Sequence, residues 1–337
     1  MRAQPMNVIS YGLGPIGIKM MQSYLASPTI RLIGAVDIDP EKIGKDAGEL
    51  TGSTPAGIQV VSNVREIAGN DAAGSKVALH ATGSNLAQVW PQIKLLLDEG
   101  YSVVSTCEQL SYPWHRYPEL SAEIHEYARS KNKFVIGTGV NPGYIMDAMT
   151  LFATTVSQAI KRISIFRRVD VSKRRIPLQR KVGIGMTPEA FRELARQEKI
   201  GHVGLEESLR LIAYGLKLNL TEVRNTIEPT ISSVDTTLAL GELRSGQVSG
   251  LHQNTRGETE QGIPIELDLI MSVEVEQEDR IVLETEDMGR LVFVVPEGIF
   301  GDTATVNVAV NTAKTLYDSG LTGLLTMADI PLTRAAL

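Results

Sequence analysis

The sequence has 337 residues, which is enough for two domains that each bury a core of their own. Its 43% hydrophobic and 21% charged content is typical of a globular protein, and a formal net charge of −6 without a lysine/arginine stripe argues against a nucleic-acid partner. No apolar run is long enough to span a bilayer, and the single cysteine, Cys107, excludes a disulfide framework and suits the cytoplasm, so we expect a cytoplasmic protein with no membrane partner.

The first predicted strand, Val8 to Tyr11, leads directly into a glycine-rich turn and then into a helix. The turn consists of Gly12, Leu13, Gly14, Pro15, Ile16 and Gly17. This is the G-x-G-x-x-G pattern between a strand and a helix, in which the first glycine permits a tight turn and the second admits a pyrophosphate. The third glycine lets the helix pack close to the sheet, and the helix N-terminus holds the phosphates. The pattern predicts a site for NAD(H) and/or NADP(H).

The second predicted strand, Leu32 to Val36, ends in Asp37, twenty positions after Gly17. A carboxylate at this place holds the adenosine ribose hydroxyls of a bound dinucleotide. Its charge favours NAD and repels the 2′-phosphate of NADP. Lys42 and Lys45 follow closely and soften that repulsion, so both cofactors stay open.

The chain continues in the alternating manner of a parallel sheet. Pro40 is predicted to open a short helix, and strands are predicted at Ile58 to Val61 and Val77 to Ala81. The small residues Thr82 and Gly83 follow the second of these strands and leave room for the cofactor. A helix with an apolar face is predicted from Leu86 to Leu97.

Two further strands are each followed by a loop with polar residues. Val103-Val104 precedes the loop that contains Thr106 and Glu108, and Phe134 to Ile136 precedes the loop that contains Asn141, with a helix at Glu119 to Lys131 between them. Alternating β and α units predict a doubly wound parallel sheet, and ligands of such sheets bind outside the carboxyl ends of the strands. We therefore expect Thr106 and Asn141 to contact the nicotinamide half of the cofactor, and a structural turn at Asn141 is the alternative.

Glu108 is the residue that we expect to act as the acid/base of a nicotinamide enzyme. It follows a buried strand and has no positive charge close to it in the sequence, so desolvation is expected to raise its pKa toward neutrality. A surface-loop glutamate is the alternative. Cys107 beside it has no obvious base, which is typical of a small buried packing residue and not of a nucleophile.

After about residue 150 the pattern changes to long, half-alternating strands. They are predicted at Ile160 to Val171, Leu220 to Ile227, Gln247 to Thr259, Ile265 to Val275, Ile281 to Glu286 and Arg290 to Val295, with helices near Pro188 to Gln197 and Leu205 to Leu216. Such a run predicts an α+β domain on a mostly antiparallel sheet, and a face of such a sheet commonly forms a subunit contact, so we expect a homodimer.

The predicted fold class is therefore α/β, a Rossmann-type doubly wound parallel sheet with a second α+β domain on a mostly antiparallel sheet. Residues 1–145 are predicted to form the dinucleotide-binding domain and 146–301 the substrate and dimerisation domain. Residues 302–337 are predicted to form a C-terminal helix and a tail that return to the first domain.

The substrate side is predicted less directly. Its candidate residues are Tyr144, Arg168, Gln179 and His202. His202 is as typical of a helix cap or a core histidine as of a pocket residue. Arg174 and Arg175 favour a diamino acid if they face the pocket and a simple amine or ketone if they do not. The histidine spacing predicts no metal site.

Several segments resemble the 2,4-diaminopentanoate dehydrogenases and the related native amine dehydrogenases, which are distant structural relatives of dihydrodipicolinate reductase. They are GLGPIG, VDIDPEKIGKDAGEL, STCEQLSYP, GTGVNPGYIMDA, RRVDVSKRRIPLQRKVGIGM and GLLTMADIP, spread from Met6 to Pro331. Thr322 departs from the pattern, since the family usually has proline before GLLTM.

The resemblance implies NAD(P)-dependent oxidative deamination of an amine to a ketone or aldehyde plus ammonia, and the reverse reductive amination. It also implies that the glutamate of the STCE loop, Glu108, is the catalytic acid/base. Three alternatives stay open: 2,4-diaminopentanoate dehydrogenase proper, an imine reductase like dihydrodipicolinate reductase, and a non-catalytic NAD(P)-sensing protein.

Overall fold

The computed structural model describes residues 5–67 and 75–335. The chain divides into two compact units. The parallel-sheet unit comprises Met1–Tyr144 and Phe300–Leu337, of which residues 1–4, 68–74 and 336–337 lie outside the described residues, and the mixed-sheet unit comprises Ile145–Ile299. The roles assigned above to the three segments stay predictions.

The strands and helices of the described residues alternate along the first part of the chain. The strands are β1 (Met6–Tyr11), β2 (Ile30–Val36), β3 (Val60–Val61), β4 (Lys76–His80), β5 (Ser102–Ser105), β6 (Phe134–Gly137), β7 (Ile160–Asp170), β8 (Leu220–Ile231), β9 (Thr236–Leu238), β10 (Gly241–Leu243), β11 (Val248–Thr259), β12 (Ile265–Ser272), β13 (Glu278–Thr285), β14 (Arg290–Val295) and β15 (Gly323–Leu325). The helices are α1 (Pro15–Leu25), α2 (Ala47–Leu50), α3 (Leu86–Asp98), α4 (Pro118–Ser130), α5 (Ala148–Ala153), α6 (Ile176–Lys181), α7 (Pro188–Arg196), α8 (Leu205–Gly215) and α9 (Gly301–Leu316).

The parallel-sheet unit is built on seven strands in the order β15-β6-β5-β4-β1-β2-β3, and all neighbouring strands run parallel. Strand order reverses between β1 and β4, where such sheets bind their ligands at the carboxyl ends. The tail contributes the edge strand β15, which the sequence did not predict. The predicted doubly wound parallel sheet is confirmed.

Alternate residues of the buried strands pack on opposite faces of this sheet. Val8 belongs to a core that α1 and α9 complete with residues such as Met20 and Val310, whereas Ile9 belongs to a second core with Trp90 of α3 and Ile124 of α4. Both faces are therefore covered by helices, as the near-continuous apolar character of the strands requires.

The short helix predicted at Pro40 is wrong. Residues 40–44 form a turn, and the helix begins later, at Ala47. The reason is Asp46, whose carboxylate accepts hydrogen bonds from the N–H groups of Gly48, Ala56 and Gly57, at 2.7 to 2.8 Å. A side chain that satisfies the first free donors of a helix fixes where the helix starts, and this one also fastens the following loop.

The mixed-sheet unit contains a six-stranded sheet in the order β14-β13-β7-β12-β11-β8. Its neighbours are antiparallel except β7 and β12, so the predicted mostly antiparallel sheet is confirmed. Helices α7 and α8 pack on it, and a separate two-stranded sheet joins β9 and β10. The short helices α5 and α6 and this small sheet were not predicted.

Among the helices of residues 5–67 and 75–335, none combines the length and the apolar character that crossing a bilayer requires.

Candidate functional site

Five strand ends of the parallel sheet form a row at its carboxyl edge. In register, Tyr11 pairs with His80, His80 with Ser105, and Ser105 with Gly137, while Val36 of β2 pairs with Tyr11 on the other side. The residues that follow these ends are the turn after β1, Asp37, Thr82, Thr106 to Glu108, and the loop of Asn141. The fold therefore brings the predicted cofactor residues and Glu108 to one edge.

The glycine turn has the backbone that a dinucleotide cradle requires. Gly12 has φ +88°, and a Cβ there would lie 2.7 Å from the carbonyl oxygen of Ala81, while a Cβ on Gly17 would lie 1.9 Å from the carbonyl oxygen of Gly12. A Cβ on Gly14 would meet no described atom within 4 Å. Gly12 and Gly17 are thus fixed by the protein itself, whereas the space at Gly14 is open to a ligand.

The remaining residues of the turn open helix α1. Pro15 is its first residue, Leu13 is buried and Ile16 is half-buried. No side chain caps this N-terminus, so its first N–H groups are available to an anionic ligand such as a pyrophosphate. The donor set fits the phosphates of a nicotinamide dinucleotide.

Asp37 is held against the glycine turn. Its carboxylate accepts from the N–H of Leu13 at 2.6 Å and from the N–H of Asp39 at 2.8 Å. The ammonium of Lys42 lies 3.5 Å from Asp37 and 3.1 Å from Asp39. Burial disfavours the charge on Lys42, but the two carboxylates outweigh it and raise its pKa. Lys42 is therefore a permanent cation beside the residue expected to select the cofactor.

Thr82 and Gly83 lie exposed just beyond the end of β4, whose last residue is a buried histidine that the sequence did not single out as functional. His80 is fully buried and stacks on Tyr11, with ring centroids 5.5 Å apart. Its Nε2 lies 2.9 Å from Oε1 of Gln92, and its Nδ1 lies 2.8 Å from Oγ of Ser105. Burial lowers the pKa of His80 to about 4, so the ring is neutral at physiological pH.

Glu108 opens a short 3₁₀ turn, Glu108–Leu110, three residues after the end of β5, and its side chain is half-buried, as is Thr106. The backbone of this turn is closed by the N–H of Leu110, which donates to the carbonyl of Cys107 at 3.0 Å. The N–H and the hydroxyl of Ser111 both donate to the carbonyl of Glu108, at 3.2 and 2.8 Å. These hydrogen bonds therefore hold the backbone at Glu108 in one conformation.

The turn is also fastened to its surroundings. The N–H of Gln109 donates to the carbonyl of Ser84, and the side-chain oxygen of Gln109 accepts from the N–H of Leu86 and from the hydroxyl of Tyr117, both at 2.9 Å. A Cβ on Gly137 of β6 would lie 2.5 Å from the carbonyl carbon of Leu110. Only glycine lets that strand pass so close to the Glu108 turn.

Asn141 is buried, and its Oδ1 accepts no hydrogen bond from the described residues. Its bond to Pro142 is cis. A buried amide oxygen without a partner is an unusual cost, and a ligand donor would remove that cost. Tyr144, the last residue of the first segment of this unit, is 37% exposed.

The other three candidate substrate residues belong to the mixed-sheet unit. Arg168 is exposed on β7. Gln179 on α6 is fully buried, its side-chain N–H₂ donates to the carbonyls of Val171 and Ser172, and its Oε1 has no partner among the described residues. The backbone N–H of His202 donates to the side chain of Gln253 at 2.8 Å.

The mixed-sheet unit also contains a buried ion pair that sequence reasoning missed. Nη1 of Arg167 contacts both oxygens of Asp279, at 2.7 and 2.6 Å, and Nη2 donates to the carbonyl of Ile299 at 2.9 Å. Burial lowers the pKa of Arg167 and raises that of Asp279, and the attraction between the two charges opposes both effects. No local pattern marks such a pair, since its members lie far apart in the chain.

No group of three or more histidine, cysteine or acidic side chains in residues 5–67 and 75–335 is placed to hold a metal ion.

Comparisons with known proteins identify relatives of this chain. The family model of the 2,4-diaminopentanoate dehydrogenase C-terminal domain matches residues 144–337. A 2,4-diaminopentanoate dehydrogenase from Acetoanaerobium sticklandii is 27% identical over 352 residues, covering 99% of this chain and 96% of its own.

Two solved structures show the same fold. An amine dehydrogenase from Mycobacterium smegmatis superposes with a TM-score of 0.86 at 23% identity and covers 99% of this chain and 98% of its own. GenD2 from gentamicin A biosynthesis, solved in complex with NAD, has a TM-score of 0.60 at 12% identity, with coverages of 98% and 91%.

Proposed function

Because this chain belongs to the 2,4-diaminopentanoate dehydrogenase family, we propose that it is an NAD(P)-dependent amine dehydrogenase. It oxidises an amine to a ketone or aldehyde with release of ammonia and catalyses the reverse reductive amination. The observation that carries the proposal is that the turn with Glu108 and the glycine turn both follow strands that end at the same edge of the parallel sheet. The single cysteine of the sequence suits a reducing compartment, so we place the enzyme in the cytoplasm.

The cofactor is NAD(H) and/or NADP(H). Gly12, Gly14 and Gly17 shape the turn, the free N–H groups of α1 bind the phosphates, and Asp37 selects at the ribose. The nicotinamide supplies the hydride acceptor or donor when it is bound. The buried Oδ1 of Asn141 accepts a hydrogen bond from the carboxamide, and Thr82, Gly83 and Thr106 line the same edge.

Glu108 handles the protons of the reaction. In deamination its carboxylate takes a proton from the substrate ammonium and releases it to solvent before the iminium is hydrolysed. The carboxylate then takes a proton from the water that attacks the iminium carbon and passes it to the amine nitrogen, which departs as ammonia while the hydroxyl proton returns to the carboxylate. In amination the protonated carboxyl donates to the departing hydroxyl. A carboxylate beside an iminium cation also stabilises the charge of the reacting state. The fixed backbone of Glu108–Leu110 holds this group in one place.

The substrate residues are proposed on the mixed-sheet unit. Gln179 is the strongest, because its buried Oε1 lacks a donor and an ammonium group would supply one. Arg168, His202 and Tyr144 are the further candidates. The unit also supports a homodimer, since Phe166, His252 and Asp268 lie on the sheet face opposite α8 and stay part-exposed.

The substitution Glu108→Gln tests the proposed role. We expect kcat to fall roughly 10²–10⁴-fold because the amide cannot exchange a proton, while cofactor binding, followed by fluorescence, stays the same. Glu119→Gln, an exposed glutamate at the start of α4, is the matched control and keeps full turnover. Turnover that survives Glu108→Gln rules out the acid/base role.

The substrate is determined by measuring cofactor absorbance with a panel of compounds. The panel contains 2,4-diaminopentanoate, cyclohexanone and short aldehydes with ammonia, and dihydrodipicolinate, each with both cofactors. Turnover of the amine or ketone members supports an amine dehydrogenase. A response to dihydrodipicolinate alone favours the imine reductase, and no response to any of them favours a cofactor-sensing protein.

A further inference from the structure

A chain of hydrogen bonds runs from helix α3, through the end of β4, to the turn that carries Glu108. It begins at Gln92 on α3, passes through the ring of His80, continues to the hydroxyl of Ser105 and ends at the backbone N–H of Cys107, with distances of 2.9, 2.8 and 3.1 Å. His80, Ser105 and Cys107 are all buried to at least 99%. Water therefore does not replace the two links made by the hydroxyl of Ser105.

The direction of each hydrogen bond follows from its partners. Nε2 of His80 lies 2.9 Å from Oε1 of Gln92 and 3.0 Å from Oγ1 of Thr82, and the hydroxyl of Thr82 donates to the same Oε1. An amide oxygen can only accept, so Nε2 of His80 carries the proton and donates to these two oxygens. The neutral ring then has an acceptor at Nδ1, and the hydroxyl of Ser105 donates to it. The oxygen of Ser105 is left with its lone pairs directed at the N–H of Cys107. One tautomer of His80 thus fixes the orientation of the hydroxyl that holds the Cys107 amide.

Cys107 directly precedes Glu108, so its peptide orientation sets where the glutamate side chain leaves the backbone. The N–H of Cys107 is held by Ser105, and its carbonyl accepts from Leu110 at 3.0 Å. Both ends of this residue are therefore fastened. The opposite end of the chain reaches the cofactor edge, because the hydroxyl of Thr82 donates to the same oxygen of Gln92 at 2.7 Å.

We propose that His80 is a positioning residue of the reaction, whose Nδ1 orients the Glu108 turn through Ser105 and the Cys107 amide. The proposal rests on the proposed role of Glu108. A displacement of about 1 Å of a catalytic group costs up to about 100-fold in rate, and it leaves ground-state binding largely unchanged. Loss of the link at Nδ1 therefore lowers kcat with little effect on KM or on cofactor affinity.

Two substitutions of His80 separate the two ends of the ring. Asparagine places an amide at the position of Nδ1 and can accept from Ser105, whereas glutamine places its amide at the position of Nε2 and keeps the contact with Gln92. Both replace the imidazole of His80 with an uncharged amide. We expect His80→Gln to lower kcat about 10–100-fold and His80→Asn to recover most of that loss. Ser105→Ala, which removes the middle of the chain, is expected to match His80→Gln.

Leu97→Ala controls for loss of stability, because Leu97 is buried on the same helix as Gln92 and its side chain takes no part in the hydrogen bonds just described. At temperatures where all variants are folded by circular dichroism, Leu97→Ala keeps the wild-type kcat. Equal kcat in His80→Asn, His80→Gln and Leu97→Ala overturns the positioning role.

Hydrogen exchange at the Cys107 amide gives a readout that needs no substrate and no bound cofactor. We expect faster exchange in His80→Gln and Ser105→Ala than in wild type, with His80→Asn close to wild type. Equal exchange in the two His80 variants overturns the proposal whatever the activity. Absence of amine turnover in the wild-type protein, in contrast, overturns the proposed function and leaves the exchange result to decide on the link.

Discussion

The two units bury polar groups in different ways. At the carboxyl edge of the parallel sheet the buried groups are neutral, with His80 between Ser105 and Gln92. In the mixed sheet they are charged, with Arg167 bound by both oxygens of Asp279 and side chains only 4% and 1% exposed. The first arrangement joins residues beside the proposed reaction site, and the second fixes the end of a unit.

The difference between the charged pair in the mixed sheet and the neutral groups in the parallel sheet follows from the role of each. Arg167 donates to the carbonyl of Ile299, the last residue of the mixed-sheet unit, and Asp279 accepts from the N–H of the same residue. The two charged side chains are therefore held in one fixed geometry, with hydrogen bonds to each other and to the backbone. A buried charge is tolerated on that condition. Beside Glu108 a fixed charge would bias a carboxylate whose proposed role is to gain and lose a proton, and the neutral His80 adds none.

The largest effect is expected where the charged centre is broken. Asp279→Asn leaves the guanidinium of Arg167 buried without a counter-charge, and loss of one member of a buried pair typically costs about 3–5 kcal/mol. We expect the free energy of unfolding of the mixed-sheet unit, measured by denaturant titration, to fall by that amount.

Glu278→Gln is the matched control on the same strand. Glu278 pairs with Arg280 at 2.7 Å, but both side chains are part-exposed, so the substitution is expected to cost less than about 1 kcal/mol. If the two variants lose the same free energy, the buried pair has no special role and the contrast between the units disappears.

The neutral centre is expected to respond to pH instead. The folded-state pKa of His80, about 4, lies below its ordinary value of 6.5, so the unfolded chain binds more protons between these values. The stability that the buried neutral ring contributes is therefore complete above pH 6.5 and is lost as the pH falls toward about 4. The largest loss is about 3 kcal/mol.

His80→Asn separates this contribution from that of the carboxylates, which titrate in the same window. We expect its free energy of unfolding to decrease less steeply than that of wild type between pH 6.5 and pH 4. Identical slopes would mean that folding does not lower the pKa of His80, and that burial of the neutral ring contributes nothing to the pH dependence of stability.

The features that the sequence predicted are local ones. Gly12 to Gly17 and Asp37 follow directly from strands that their own apolar residues announce, and Glu108 lies three residues beyond a buried strand. The alternation of strand and helix gave the parallel sheet, and the change of period after residue 150 gave the second one. These signals need no knowledge of distant partners.

The features that were missed depend on distant partners. His80 meets a serine 25 residues away, and Arg167 meets an aspartate 112 residues away, so neither shows a spacing that could be recognised. The one signal for His80 was a histidine at the end of an otherwise apolar strand. The helix wrongly placed at Pro40 has a similar cause, since Asp46 binds N–H groups up to 12 residues later.

A substitution of Asp37 tests whether the charged carboxylate at the carboxyl edge of the parallel sheet selects between NADH and NADPH. Asp37→Ser removes the carboxylate and leaves the ammonium of Lys42 to attract a 2′-phosphate. We expect the ratio of the dissociation constants of NADPH and NADH, measured by fluorescence titration, to shift toward NADPH by about 10–100-fold, which is roughly 1.4–2.7 kcal/mol. Asp39→Asn keeps the wild-type ratio, because Asp39 contacts Lys42 but not the glycine turn. A wild-type protein that already prefers NADPH by orders of magnitude contradicts the assigned role.

The smallest effect separates ligand binding from folding within the glycine turn. Gly14 has φ −67°, a value that alanine adopts readily, and its added Cβ would meet no described atom within 4 Å. Gly14→Ala is therefore expected to leave the thermal midpoint unchanged and to weaken cofactor binding about tenfold, because the methyl group occupies space that the pyrophosphate needs. Gly17→Ala is the contrasting variant, since its Cβ would lie 1.9 Å from the carbonyl of Gly12 and must disturb the turn itself. If Gly14→Ala binds the cofactor as tightly as wild type, the open space at Gly14 does not hold the pyrophosphate, and the dinucleotide lies elsewhere on the sheet edge.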